Sequence, residues 1–144
     1  MNKFKLTLII FLFIIFTNLS FAENNFYEEG KRKYIEKKYE ESKFLFQRSI
    51  VFSPKDSNSY LYLAKIYNFE KNDKEEEKNI NTVLLLEPKN EEAMYMLMKI
   101  ELKKSNYSKV RELIENFSKV CKNLCKKKSS VLESLENLEP KNES

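Results

Sequence analysis

The sequence predicts an all-α protein, a solenoid of about three helix pairs followed by a long C-terminal helix. The first observation is a repeat, because Pro54 and Pro88 lie 34 residues apart and each follows a similar apolar run. A fixed period of this length is typical of one small unit stacked several times. The second observation is that only one residue is glycine and three are proline, which disfavours a turn-rich β fold. Further columns at the same step hold Tyr27, Leu61 and Tyr95; Lys31, Lys65 and Lys99; Tyr39, Asp73 and Tyr107; and Phe46, Ile80 and Ile114.

The N-terminal segment has the pattern of a secretory signal peptide. Two lysines within the first five residues precede an apolar run over 6–16, and small side chains suit cleavage after Ala22. The run is too short to span a bilayer, which takes about 20 residues in a helix. The pattern of residues 1–22 therefore predicts export to the periplasm or cell envelope. Retention of this segment as an uncleaved membrane anchor is the alternative.

The rest of the chain is long enough for one domain and has the periodicity of short helices. After Asp56, the side chains of Tyr60, Leu63 and Tyr67 fall on one helix face. Asp56 and Asn90 each follow a Pro-Lys pair and are predicted N-caps, because their side-chain oxygens can accept from free backbone N–H groups. The predicted helices cover 24–37, 39–52, 57–70, 73–86, 91–104 and 107 onward.

The C-terminal region departs from the period and carries a heptad stripe. No glycine or proline interrupts 107–138, which favours one continuous or mildly kinked helix. The alternative is a break near 128–130, where Ser130-x-x-Glu133 fits a capping box. The stripe predicts contact with the preceding helices, and a dimer seam is its other interpretation. Its members are Val110, Ile114, Phe117, Cys121, Leu124, Val131, Leu135 and Leu138.

Cys121 and Cys125 lie four residues apart within this region of the chain. In a continuous helix, a disulfide between them would strain a geometry that needs Cβ atoms about 3.5–4.5 Å apart. The preferred interpretation is two small apolar residues of the inner stripe. If the chain breaks between them, a local bridge becomes feasible, and a bridge to another molecule is also open.

Composition excludes most kinds of active site. Without histidine there is no Ser-His-Asp or Cys-His arrangement and no His-containing zinc site. One glycine does not make a phosphate-binding loop, and two cysteines do not make a four-Cys metal site. We therefore predict no catalytic, cofactor-binding or metal-binding residue and no enzyme activity. Removing Lys3 and Lys5 lowers the formal net charge from +4 to +2, so no nucleic-acid partner is predicted.

The chain resembles the tetratricopeptide repeats, whose 34-residue pattern is W-x2-L-G-x2-Y, then A-x3-F, then P. The second unit matches best, in Tyr60-x2-Leu63-Ala64-x2-Tyr67, where Tyr stands for Trp and Ala for Gly. The resemblance covers residues 23–122. It implies that small residues let the two helices of a pair approach closely and that aromatic residues fill the space between them.

The other two units match this pattern incompletely. The first keeps Gly30 and the pair Ser42-x3-Phe46, whereas the third has Met98 for the small residue and Lys122 for the proline. The predicted organisation is a signal peptide over 1–22, a repeat domain over 23–122, a C-terminal helical extension over 123–138 and a tail over 139–144.

The resemblance also implies a site. In tetratricopeptide proteins the first helices of the pairs line a concave groove, which here would bind an extended or helical peptide segment. The groove residues would be Tyr27, Lys31, Tyr34, Leu61, Tyr62, Lys65, Phe69, Tyr95, Met96 and Lys99. The chaperone-tail binders of the family use a clamp of Lys, Asn and Arg. That activity is not predicted, because the matching positions hold Tyr27, Lys31, Tyr62, Glu92 and Met96.

The sequence thus predicts an exported, non-enzymatic scaffold or adaptor of the cell envelope with a protein or peptide partner. The alternative is a structural subunit that self-associates as a homodimer, or docks, through its heptad-patterned C-terminal helix. A basic run is interpreted as a solvated helix face, with weak contact to an anionic membrane surface or an acidic partner as its alternative. This run contains Lys119, Lys122, Lys126, Lys127 and Lys128.

Cleavage after Ala22 can be tested directly from the N-terminus of the mature protein. The mature protein from its native source should begin at Glu23, because the preceding segment has the charge, length and small-residue pattern that a secretory peptidase recognises. Intact mass spectrometry checks this. A native protein whose mass includes residues 1–22 would contradict the prediction and favour the retained anchor.

Overall fold

The computed structural model describes residues 26–139. Within this range it contains seven helices and no strand, which confirms the predicted all-α class. The helices are α1 (26–35), α2 (Tyr39–Phe52), α3 (Ser57–Phe69), α4 (Asp73–Leu86), α5 (Glu91–Lys103), α6 (Tyr107–Val120) and α7 (Lys127–Leu138). The predicted bounds of α2 to α5 agree with these within one residue. The predicted signal peptide lies outside the described residues.

The chain divides into two compact units, and the boundary falls inside α3, between Tyr62 and Leu63. Unit 1 includes α1, α2 and the first residues of α3. Unit 2 includes the rest of α3 and the four helices that follow it. The boundary does not coincide with the 34-residue period, because α3 contributes residues to both units.

The first helices of the three pairs end in the same backbone motif. They are followed by Lys37, Lys71 and Ser105, whose φ angles are 61°, 57° and 57°. The N–H of each of these residues bonds to the carbonyl three residues back at 3.0–3.1 Å, and the next N–H bonds to the carbonyl five residues before it at 2.9 Å. This is the Schellman motif. The 34-residue period of the sequence is therefore also a period of the backbone.

Both predicted N-caps are confirmed. Asp56 accepts from the Asn58 N–H at 3.1 Å through Oδ1 and from the Ser59 hydroxyl at 2.5 Å through Oδ2. Asn90 Oδ1 accepts from the Ala93 N–H at 3.0 Å. These bonds satisfy donors at the helix starts that have no partner within the helix.

In unit 1, α1 and α2 touch at Gly30. A methyl group at this position would lie 3.0–3.2 Å from three atoms of the Phe46 ring, which is fully buried. Ser42 Oγ donates to the Gly30 carbonyl at 2.8 Å. The missing side chain of Gly30 thus allows the close approach of two helices that the sequence pattern implied.

In unit 2, α4 packs on α5, α5 packs on α6, and α7 contacts both α5 and α6. Its core is mainly apolar. The fully buried apolar side chains include Ala64, Ile66, Ile80, Val83, Ala93, Met98, Val110 and Phe117. Met98 belongs to this core although the repeat pattern has a small residue in its place.

The predicted continuous helix over 107–138 is wrong. The chain leaves the helical conformation over 121–126, before the alternative break near 128–130. The earlier connections between pairs, 53–56 and 87–90, each contain a proline. The third connection, 121–126, is two residues longer and contains none.

The stripe residues of α7 nevertheless pack inside the chain. Val131 and Leu135 are buried, which confirms the interpretation of these stripe positions as core contacts. At the C-terminal end of α7, the Tyr107 hydroxyl donates to the Leu138 carbonyl at 2.8 Å. Leu138 itself is exposed. The C-terminal end of α7 is therefore held by α6.

Glu76 of α4 is a buried carboxylate in unit 2, with 1% of its surface exposed. Asn68 Nδ2 donates to both carboxylate oxygens, at 3.0 and 3.1 Å. Burial raises the pKa of Glu76, while the Asn68 hydrogen bond and the positive charges of Lys103 and Lys99 act in the opposite direction. Lys103 also pairs with Asp73 at 2.7 Å.

Other features bear on the class of protein. No helix within residues 26–139 is long and apolar enough to cross a membrane. The same residues contain no group of three or more His, Cys, Asp or Glu side chains placed to hold a metal ion. Buried side-chain nitrogen and oxygen atoms over this range all have hydrogen-bond partners.

Ala64 tests the packing of unit 2. We expect Ala64→Leu to lower the free energy of unfolding by about 1–3 kcal/mol, because the added carbons overpack a fully buried position. The measurement is the midpoint of chemical denaturation. Ser108→Leu is the control, since Ser108 is exposed on α6. An unchanged midpoint for Ala64→Leu would contradict the repeat register.

Glu76 predicts a pH dependence of stability. Because its pKa is raised in the folded state, the folded chain holds this proton more firmly than the unfolded chain does. The resulting stability is present at acid pH and is lost as pH rises through the folded pKa. We therefore expect Glu76→Gln to melt above the parent at pH 7 to 8, and the difference to close as pH falls toward about 4.

Thermal melts across this pH range check the prediction. Glu75→Gln removes the same charge one residue away, from a less buried side chain, and serves as the control. A difference between Glu76→Gln and the parent that stays constant with pH would contradict the assignment to a buried carboxylate.

Candidate binding surfaces

Three tyrosines of the predicted groove form one cluster in unit 1. Tyr62 of α3 stacks on Phe46 with ring centroids 4.8 Å apart. Tyr34 and Tyr27 of α1 meet Tyr62 edge to face, with centroid distances of 5.1 and 6.1 Å. All three tyrosines are half-buried, so some of each ring stays exposed. We call Tyr27, Tyr34 and Tyr62 the tyrosine surface.

Tyr27 of this surface has a raised pKa. Burial raises the pKa of Tyr27 to about 12, and Tyr62, Asp56 and Glu28 add smaller contributions in the same direction. The raised pKa keeps its phenol protonated even in alkaline solution, and the hydroxyl can donate a hydrogen bond. The Tyr27 ring also lies 5.9 Å from the Phe46 ring. Its position is thus fixed by the core beneath it.

The two other predicted groove residues of unit 1 differ in exposure. Lys31 is half-buried and shares a helix face with Tyr27 and Tyr34, four residues before it and three after it. Leu61 is 7% exposed. Its side chain belongs to the core, which differs from the expectation that it faces outward.

In unit 2, Tyr95 of α5 has two lysines near its ring. Lys99 Nζ lies 5.8 Å from the ring centroid and Lys127 Nζ lies 5.7 Å from it. Both distances are within the range of about 6 Å for a cation–π interaction. Lys99 is one turn along the same helix, whereas Lys127 is the first residue of α7. We call Tyr95, Lys99 and Lys127 the tyrosine–lysine surface.

The remaining predicted groove residues of unit 2 have different surroundings. Lys65 forms an ion pair with Glu92 at 2.9 Å, which offsets its charge. Phe69 is 65% exposed, and Met96 is half-buried. The structure thus brings three predicted residues together in unit 1 and two in unit 2. The continuity of the lysine row over all three helix pairs stays a prediction.

Cys121 and Cys125 form a disulfide, so the preferred interpretation as two small apolar residues of the inner stripe is wrong and the alternative of a local bridge is confirmed. Their Cα atoms are 5.3 Å apart, within the usual range for a bridge. Cys121 is the C-cap of α6 and has an extended backbone. The two cysteines therefore do not occupy successive turns of one helix. The end of α6 is the physical reason why the bridge can form.

The Glu91 carboxylate holds the same connection from α5. It accepts from the backbone N–H of Leu124 at 2.7 Å, of Lys122 at 2.8 Å and of Asn123 at 3.0 Å. These bonds, with that of Leu124 the largest contribution, lower the pKa of Glu91, because they favour its charged form. The start of α5 is therefore tied to the middle of the connection between α6 and α7.

Sequence reasoning did not include Glu91 or Lys127 in the site. The repeat did contain a signal for the end of α6. Ser53 is the C-cap of α2, Glu87 is the C-cap of α4 one period later, and Cys121 follows after one more period. The contact between Lys127 and Tyr95 had no such signal. It depends on the length and shape of the connection before α7.

Solved structures with a similar fold are tetratricopeptide (TPR) domains. The TPR2B domain of yeast Sti1, from a complex with pHsp70, has a TM-score of 0.72 and 12% identity over 81% of this chain and 98% of that chain. The Yersinia enterocolitica chaperone SycD, in complex with a YopD peptide, has a TM-score of 0.71 and 18% identity over 79% and 92%. The Arabidopsis OM64 TPR domain has a TM-score of 0.72 and 14% identity over 83% and 98%.

Sequence comparison adds nothing to this likeness. No protein-family model matches the chain. No curated protein matches it either. The helix bounds, the repeated Schellman turns and the structural neighbours agree with one another. The protein therefore has a TPR-like, all-α fold.

Proposed function

We propose that this protein is an exported, non-enzymatic adaptor with two binding surfaces for protein segments, the tyrosine surface of unit 1 and the tyrosine–lysine surface of unit 2. The half-exposed tyrosine surface carries this proposal. Its rings are held by Phe46 and by one another. A ligand that packs on them gains aromatic contact area, and little side-chain freedom is lost on binding.

The charges beside these rings indicate the chemistry of the bound segment. Lys31 accompanies the tyrosine surface, and Lys99 and Lys127 flank Tyr95. A segment with both acidic and apolar side chains fits this combination. Each exposed ion pair contributes only about 0.2–1 kcal/mol, so apolar contacts should supply most of the affinity.

Structural neighbours support a peptide as the class of ligand. SycD was solved with a peptide of the translocator YopD, and the first TPR of Spaghetti was solved with the HSP90 peptide SRMEEVD. The chaperone-tail clamp is not proposed here, because Glu92 stands at one of its positions and pairs with Lys65. The partner should therefore differ in its contacts from the tails that this clamp recognises.

Two observations support an exported, non-catalytic role. Disulfides persist in oxidising compartments, and the bridge between Cys121 and Cys125 agrees with the signal-peptide pattern of residues 1–22. The sequence also lacks the histidine that most acid–base and nucleophilic sites require. We therefore propose a location in the periplasm or cell envelope.

The alternative function was self-association through the C-terminal helix. Its support is weakened because Val131 and Leu135 of the stripe are already buried within unit 2. Leu132 and Leu138 remain exposed on α7. A dimer in sedimentation analysis that dissociates on changing these two leucines to serine would favour the alternative.

A binding titration tests the adaptor function. The ligand is the partner segment recovered by crosslinked capture from the native envelope. We expect Tyr34→Ala with Tyr95→Ala to weaken binding mainly through faster dissociation, because these rings supply apolar contact. We expect Lys31→Glu with Lys99→Glu and Lys127→Glu to slow association and change its salt dependence, because these charges steer an acidic segment.

Matched variants control for loss of apolar area and for net charge. Phe44→Ala with Leu85→Ala removes exposed apolar side chains outside both surfaces. Lys55→Glu, Lys74→Glu and Lys89→Glu together make the same charge change on other exposed lysines. Melting curves confirm that each variant is folded. The proposed function would be overturned if the tyrosine and lysine variants bind the partner segment like the parent, or if the control variants lose as much affinity as they do.

A further inference from the structure

The connection between α6 and α7 is constrained more strongly than the other two connections between pairs. The disulfide joins its first residue, Cys121, to Cys125, and Glu91 accepts three consecutive backbone N–H groups from within it. The next residues turn directly into α7, where the Lys127 N–H bonds to the Leu124 carbonyl at 2.8 Å. Lys127 is thus placed over Tyr95 by a short and closed piece of backbone.

The two ends of α7 are held by different interactions. Its C-terminal end is fixed by buried Leu135, by the bond from Tyr107 and by the ion pair of Arg111 with Glu139. Its N-terminal end depends on the closed connection. Opening the bridge would leave the connection held by the Glu91 bonds alone. The first turn of α7 would therefore be less constrained, while the packed portion of the helix stays in place.

We propose that Lys127 is a specificity-determining residue of the tyrosine–lysine surface, and that the Cys121–Cys125 bridge holds it in position for acidic ligands. This inference rests on the proposed function and adds a residue and a regulation to it. Lys127 and Lys99 place two positive charges beside one aromatic ring. A carboxylate next to an apolar side chain on the ligand can then contact both lysines and Tyr95 together.

The bridge makes this arrangement sensitive to thiol–disulfide exchange. A dithiol reductant attacks one cysteine sulfur through its thiolate, the S–S bond breaks, and a mixed disulfide forms. The second thiol of the reductant then displaces the remaining cysteine. The two cysteines gain two electrons and two protons and end as thiols. The dithiol loses the same two electrons and two protons and ends as an intramolecular disulfide. No other cysteine is present in the chain, so the reductant has one target.

Holding Lys127 in place matters because the side chain is long and flexible. A free connection would let the ammonium group sample many positions, and binding would then have to order it again. In the closed connection, Lys127 loses part of this freedom already on folding, so less is lost on binding. The reduced protein should therefore keep its helix content and its apolar contacts with a ligand, and lose some of its preference for acidic residues.

The experiment uses the full chain and two fluorescein-labelled probe peptides in polarisation titrations. One peptide alternates glutamate with phenylalanine, and its twin alternates glutamine with phenylalanine. We expect the oxidised parent to bind the glutamate peptide about two- to fivefold more tightly than Lys127→Gln or the dithiol-reduced parent does, the range for one exposed charge pair. The twin should show no such difference.

Two variants make the result specific. Lys126→Gln removes the neighbouring exposed charge and should bind like the parent. Cys121→Ser with Cys125→Ser should bind like the reduced parent and should not respond to the dithiol. Circular dichroism should show equal helix content in every sample, which separates release of the connection from unfolding.

The outcomes discriminate between this inference and the function on which it rests. If the oxidised parent binds the glutamate peptide while Lys127→Gln binds it equally well, the role of Lys127 is overturned and the adaptor function stands. If Lys127→Gln weakens binding but reduction does not, the role of the bridge is overturned. An oxidised parent that binds neither peptide overturns this inference, while the titration with the captured partner segment decides the proposed function separately.

Discussion

The reversal of the chain after the first helix of each pair is the constraint on which the fold depends. It occurs at Lys37, Lys71 and Ser105, each in the left-handed region that costs a residue with a side chain roughly 1 kcal/mol or more. Two Schellman hydrogen bonds at each turn offset this cost. Because the turn always uses the same number of residues, the second helices begin at Tyr39, Asp73 and Tyr107.

Close helix contact follows from these turns, and it explains why small or accommodating residues occur where they do. Gly30 lets α1 meet the ring of Phe46. Glu76 occupies the column of Ser42 and Val110, where the repeat pattern has a small apolar residue. Its carboxylate is tolerated because Asn68 donates to both oxygens. One column therefore holds a hydroxyl, a carboxylate and an aliphatic side chain, and each is compatible with burial for a different reason.

How far the sequence predicts the fold depends on which signals agree. In α3 and α5 the N-caps, the preceding prolines and the period all indicate the same start, and the predicted bounds were accurate. Toward the C-terminus, by contrast, the signals disagreed. The heptad stripe favoured one helix, whereas the column of Cys121 indicated a helix end. The stripe survived the break because α7 packs on α5 and α6 although it is a separate helix.

The candidate site was predictable where the spacing within one helix or the 34-residue repeat determines it. Tyr27 and Tyr34 share a face of α1 by spacing alone, and they do lie together with Tyr62. The burial of Leu61 depends on packing that spacing does not describe. Lys127 reaches Tyr95 from a different helix, through a connection whose closure requires the helix break. Contacts of this kind follow from tertiary structure, which no local pattern encodes.

The longer third connection has a consequence for how such a chain can change its length during evolution. The start of α5 at Glu91, shifted by one 34-residue period, would place the start of the next helix at residue 125. Instead, α7 begins at Lys127. A tandem duplication of 34 residues before Cys121 would add a helix pair and leave every later turn in register. A duplication spanning the disulfide-closed connection would copy a spacing that no other pair shares. Growth of the array by duplication is therefore favoured at internal positions, with α7 kept as the terminal helix.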